Sequence, residues 1–248
     1  MKSGKLLVDL CCAAICIFVA ASAFAQMDFD KANQEYAQGH FKEAIAGYET
    51  LVRSGPLSAN LFYDLGNAYF RTGDFGRAIL SYERALALEQ HHPEAAANLQ
   101  IARDEARALE MQQSWPERYL QFANVNQYSA TAAVGFWAGA FCIVGLIFTR
   151  RRSARVIALL ILSLSVFALA IFAIYEIDHG SKGRALAVVI GSEVQARLAT
   201  ADTAKTVLAL PPGSEINILS TRGDWVYAAL PNNLRGWIPA KSAELVRL

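Results

Sequence analysis

Histidines are the first side chains to weigh for chemistry, because imidazole binds metals and moves protons near neutral pH. The four present, His40, His91, His92 and His179, fall at a helix turn, a repeat boundary and the end of an apolar run. His91-His92 has no cysteine nearby and no Asp/Glu set at ligand spacing, so it reads as a solvated junction rather than a metal site. No phosphate-cradling glycine loop, nucleophile elbow or zinc-protease helix occurs, and no serine or aspartate pairs with a histidine by spacing. The expectation is a protein that is not an enzyme, with no catalytic residue, cofactor or metal. Its polar side chains recognise rather than react.

Those recognition residues sit in a repeated frame. Gly39, Phe41, Ala44 and Tyr48 recur 34 residues later as Gly73, Phe75, Ala78 and Tyr82, and Asn33 recurs as Asn67. The second copy is the fuller one: Leu65, Gly66, Tyr69, Gly73, Phe75, Ala78, Tyr82, Ala85. This order and spacing resemble the tetratricopeptide repeat, a pair of antiparallel helices. Small residues leave room where helices cross, tyrosines and phenylalanines fill the space between, and Gly39 and Gly73 suit the turns. Pro56 and Pro93 suit helix openings. Glu94–Met111 reads as one more amphipathic helix capping two full repeats.

The repeat register places Phe29, Asn33 and Tyr36, then Asn60, Tyr63, Asn67, Phe70 and Arg71, on the concave face where such repeats hold ligands. Asn33 and Asn67 have two open readings: hydrogen bonds to a bound peptide backbone, or service to neighbouring helices or water. Arg71 suits a partner's carboxylate.

Two apolar runs of 20 residues, Ala130–Thr149 and Val156–Tyr175, come next. Each is long enough as a helix to cross roughly 30 Å of hydrocarbon. Neither contains an ionisable acid or base of the Asp, Glu, Lys or Arg type. The link between them, 150–155, carries four arginines and is therefore expected in the cytoplasm, with both flanks on the other side. Gly135 and Gly139 form a small-x-x-x-small surface for packing within the hairpin, or against another copy or partner. Trp115, Tyr119, Phe122 and Tyr128, in the stretch before the first run, are placed for the membrane surface.

The N-terminus has Lys2 and Lys5, an apolar run from Leu6, and Ala23-Phe24-Ala25. It reads as a secretory signal over 1–25, with an uncleaved anchor as the alternative; either one exports the chain from residue 26 onward. All four cysteines lie in these apolar segments, so no disulfide staples the exported parts. Residues 26–129 carry net charge −5 and residues 180–248 net charge +3, neither a nucleic-acid footprint.

After 180 the chain breaks into short β-prone runs, Ala185–Ile190, Glu193–Arg197, Thr206–Leu210, Glu215–Leu219, Trp225–Ala228 and Gly236–Ile238, separated by turn residues. Leu210-Pro211-Pro212-Gly213-Ser214-Glu215-Ile216, Gly223-Asp224-Trp225-Val226-Tyr227 and Leu234-Arg235-Gly236-Trp237-Ile238-Pro239 resemble the bacterial SH3-like domain. That resemblance implies a small all-β barrel over 180–248 with Trp225, Tyr227 and Trp237 as a binding surface, at least one tryptophan being core.

The expected whole is a multidomain membrane protein: a signal, an all-α tetratricopeptide-repeat solenoid over 26–112, a linker over 113–129, a two-helix transmembrane hairpin, and an SH3-like barrel. This order, with the phrase Leu65–Leu86 and the later Ala97-Asn98-Leu99, resembles the BatE family of the bacterial aerotolerance cluster. The resemblance implies an inner-membrane protein with both exported modules in the periplasm. It further implies partners among von Willebrand A-domain membrane proteins and a MoxR-type ATPase system, with a link to oxidative-stress tolerance. Peptidoglycan binding by the C-terminal module is the alternative function.

Overall fold

The computed structural model describes residues 28–55, 57–120, 122–148 and 153–247. The expected signal, Pro56 and residues 150–152 of the arginine-rich link lie outside these residues.

Five helices come first: α1 (28–37), α2 (Phe41–Ser54), α3 (Ala59–Thr72), α4 (Phe75–Leu88) and α5 (Pro93–Ala106). Their boundaries obey local chemistry. Gly39 and Gly73 take φ of +82° and +81°, which lets the chain turn from α1 into α2 and from α3 into α4 with the same geometry. Ser58 caps α3 by accepting from the Leu61 amide, Asp74 caps α4 through the Arg77 amide, and Pro93 opens α5. Gly66 shows why a glycine is needed mid-helix: a Cβ there would lie 2.6 Å from the ring of Tyr82, which is fully buried.

The fifth helix is shorter than expected. It ends at Ala106 because Arg107 adopts a left-handed conformation, φ +51°. The backbone beyond finds partners in the sheet instead of in another helical turn. The Leu109 amide donates to Ser214 Oγ at 3.1 Å, and the Glu215 amide donates to the Leu109 carbonyl at 2.8 Å.

A short helix α6 (Trp115–Leu120) leads to α7 (Val125–Phe148) and α8 (Ala154–His179). The last two are long and apolar enough to cross a membrane and pack as a hairpin. Gly135 and Gly139 face α8, and a Cβ on Gly135 would stand 3.0 Å from the Phe167 backbone nitrogen. Outside that seam the side chains are uncovered: Phe141 and Ile147 are each 72% exposed. A hairpin in the core of a soluble protein would bury them.

The seven strands are β1 (Leu186–Val189), β2 (Val194–Arg197), β3 (Thr206–Leu210), β4 (Glu215–Arg222), β5 (Trp225–Ala229), β6 (Arg235–Pro239) and β7 (Ala243–Leu245). They form one antiparallel sheet in the order β3-β2-β6-β5-β4-β1-β7. This corrects the expected SH3-like barrel. The sheet is open, with β3 and β7 as separate edges, whereas a barrel closes by pairing its outermost strands.

The edge at β7 is covered by helix rather than closed by another strand. Arg84 on α4 bonds Glu244 and the Leu245 carbonyl, at 3.1 and 2.9 Å. Gly76 brings α4 within van der Waals distance of the Val189 and Ile190 backbone. Strand β1 is buried along its whole length, as alternation requires of a strand covered on both faces. Leu186 and Val188 join the repeat core, while Ala187 and Val189 join the core of the sheet. The helical repeats and the sheet are therefore one packed body.

Candidate functional site

Of the odd-numbered helices α1, α3 and α5, the first two carry the expected ligand-facing row. Two of its members turn inward. Tyr48 donates its hydroxyl to Asn33 Oδ1 at 2.6 Å, and Tyr82 donates to Asn67 Oδ1 at 2.8 Å, the same bond in successive repeats. Asn98 on α5 adds a second bond to Asn67 Oδ1 at 2.9 Å. Burial pushes both phenol pKa values well upward, so they stay protonated donors. The asparagine oxygens thus knit even helices to odd ones. Tyr82→Phe is expected to cost about 0.5–1.5 kcal/mol, and Tyr48→Phe a similar amount, in chemical denaturation. Unchanged stability in both would remove the asparagines from the structural framework.

Phe29, Asn60 and Tyr63 converge on an open cleft of about 580 Å³ at the N-terminal ends of these three helices. Glu89, His92, Pro93 and Glu94 complete its far wall with Asp64. The Tyr63 ring lies 5.0 Å from that of His92, whose Nδ1 accepts from the Ala95 amide and so caps α5. Asp64 is a site residue that the sequence reading missed. Its recurrence with Asp30 at the 34-residue period was the signal available. Burial raises its pKa to about 6, against a smaller opposing pull from His92.

The remaining members of the row lie elsewhere. Tyr36 packs edge-on against Phe41 and Phe70 against Phe75, with ring centroids 5.3 and 5.4 Å apart. The Arg71 guanidinium stacks 4.6 Å above the Phe41 ring and remains exposed. These side chains mark the opposite ends of α1 and α3 from the cleft.

On the sheet, Trp225, Tyr227 and Trp237 share the half-buried outer face of β5 and β6, alternating with buried Val226, Ala228 and Ile238. Tyr227 and Trp237 are directly opposed, their rings 5.0 Å apart, and Trp225 faces Pro239. Neither tryptophan enters the core, which differs from the expectation that one would. Ile238 and Val226 supply the inward volume instead.

The sequence reading also missed a buried ionic cluster where the repeats, the sheet and the end of α8 meet. Arg103 on α5 bonds Glu83 on α4 and Glu215 at the start of β4, and reaches Glu110 at 3.1 Å. Lys182, just after α8, lies 3.4 Å from Glu215 and 3.6 Å from Glu83. Burial raises the Glu83 pKa. Glu215 is also pushed upward by burial, but Lys182, Arg103 and the Met111 amide more than offset this and hold it low.

Among the described residues, no group of three or more His, Cys, Asp or Glu side chains is arranged to hold a metal. Residues 29–98 match the tetratricopeptide repeat family, and a tetratricopeptide repeat domain is present there. The match identifies the repeat architecture; it does not reach the hairpin or the sheet, and it does not single out the BatE family. No curated protein matches the chain.

Proposed function

We propose that this protein is a non-enzymatic, membrane-anchored scaffold that holds segments of partner proteins in its repeat groove. The observation that carries the reading is the cleft of Phe29, Asn60, Tyr63 and Asp64, left open while the neighbouring asparagines are used internally. Aromatic walls with a few polar groups suit a bound peptide. The body joins the hairpin where α7 begins and α8 ends, which supports a reading with the repeats and the sheet on one side of the membrane. The four arginines of the link favour the periplasm of an inner-membrane protein for that side. The resemblance to BatE suggests partners among von Willebrand A-domain membrane proteins and a MoxR-type ATPase system.

The test is affinity purification of the detergent-solubilised full chain from native membranes, compared with an Asn60→Arg, Glu94→Arg variant. Both side chains are exposed in the cleft, so the fold is expected to survive. Partners retained by the original chain and lost from the variant support the groove. Equal recovery from both counts against it. Deleting the repeats would be a poor test, because the sheet shares their core.

A second reading rests on the outward aromatic pair Tyr227 and Trp237. Such a half-buried aromatic surface suits stacking against cell-wall sugars or peptides. Retention of the full chain on purified peptidoglycan, lost on Trp237→Ala, would support it; no retention would remove it.

A further inference from the structure

Helix α6 and the turn after it have no role in the groove, yet among the described residues they hold the exposed large aromatic side chains that lie outside the hairpin. Trp115 and Tyr119 lie on α6, spaced i and i+4, and Phe122 lies just beyond its end; they are 76, 67 and 80% exposed. These values match those of the outward residues of α7 and α8. Three such rings in so short a stretch concentrate more exposed apolar surface than singly scattered residues do. The other side of α6 is fastened down. Glu117 accepts from the Ser181 amide and, at 3.0 Å, from Ser181 Oγ, tying α6 to the end of α8. Tyr128 on α7 donates to the Leu120 carbonyl at 3.1 Å. The patch is therefore held beside the point where one apolar helix begins and the other ends.

We propose that Trp115, Tyr119 and Phe122 form a wedge seated in the headgroup layer of the bilayer. The inference rests on α7 and α8 crossing that bilayer. Continuity with the hairpin identifies lipid as the occupant: Phe122 lies three residues before α7, and Glu117 bonds α6 to Ser181 just after α8. Trp and Tyr favour this layer because each ring has an apolar body and a polar atom. Exposed Arg118 on the same short helix suits lipid phosphate. Since Glu117 and the Arg103–Lys182 cluster make α6, the hairpin end and the repeats one unit, the wedge fixes how the groove is presented above the membrane.

The experiment uses the full chain in phosphatidylcholine–phosphatidylglycerol vesicles with one tryptophan kept at a time. With Trp115 alone (Trp137→Phe, Trp225→Phe, Trp237→Phe), blue-shifted emission and at least twofold quenching are expected from a spin label on the lipid headgroup. Bromine deep in the acyl chains should quench it less. A Trp137-only chain should show the reverse order, and its failure would overturn the membrane-spanning premise rather than the wedge. With Trp137 quenched from the acyl chains, the wedge is overturned if Trp115 emits as in water. It is equally overturned if Trp115 is blue-shifted but unquenched by lipid, because protein would then cover the patch.

Discussion

Replacing Arg103 by alanine is expected to destabilise the protein by about 3–5 kcal/mol. The side chain is 4% exposed, and it compensates Glu83 and Glu215, which are 7% and 0% exposed. Removing it leaves two buried carboxylates with Lys182 as their remaining cation, and an uncompensated buried charge costs several kcal/mol. Glu83, whose pKa is already raised by burial, should then take up a proton first. The loss should therefore be smaller in a Glu83→Gln background, because one of the stranded charges is gone before the arginine is removed. Chemical denaturation of the detergent-solubilised chain would measure both values. Limited proteolysis should show the 107–114 segment cut early, since its bonds to Ser214 and Glu215 depend on the same junction. A loss under 1 kcal/mol would mean that the cluster contributes little to holding repeats and sheet together.

Asp64→Asn is expected to act in the opposite direction, stabilising the protein at pH 7 by about 1–2 kcal/mol. Burial raises this carboxyl from 3.8 to about 6. Between those two values the folded state holds more protons than the unfolded state, so stability falls as pH rises through that window and levels off above it. The full shift corresponds to about 3 kcal/mol, discounted here because water reaches the cleft. The gap between variant and original should be near zero below pH 4 and complete above pH 6. His92, Glu89 and Glu94 face the same cleft, so the comparison should be repeated with His92→Gln to isolate the carboxyl. Destabilisation by Asp64→Asn at pH 7 would show that the carboxylate has a stabilising partner. A charge kept at a cost to stability beside Phe29, Asn60 and Tyr63 supports a binding role for the cleft.

Local order in this protein is legible in the chain alone. A 34-residue period fixes helix pairs because Gly39 and Gly73 must take positive φ, and because Gly66 must clear the ring of Tyr82. Two uninterrupted apolar runs fix a hairpin, and alternating residues between turns fix six of the seven strands. All of this depends on neighbours a few residues apart or on a repeat read against itself. The remainder arises only in three dimensions. Whether strands close into a barrel depends on what covers the edge, and here α4, more than a hundred residues earlier, packs against β1 and bonds β7 through Arg84. Asn33 and Asn67 are equally suited to a ligand or a tyrosine until the hydroxyls of Tyr48 and Tyr82 are placed beside them. Arg103, Lys182, Glu83 and Glu215 carry no shared spacing, because their pairing arises only when three separately legible segments meet. A buried charge is recognisable from its surroundings, and a linear sequence does not display them.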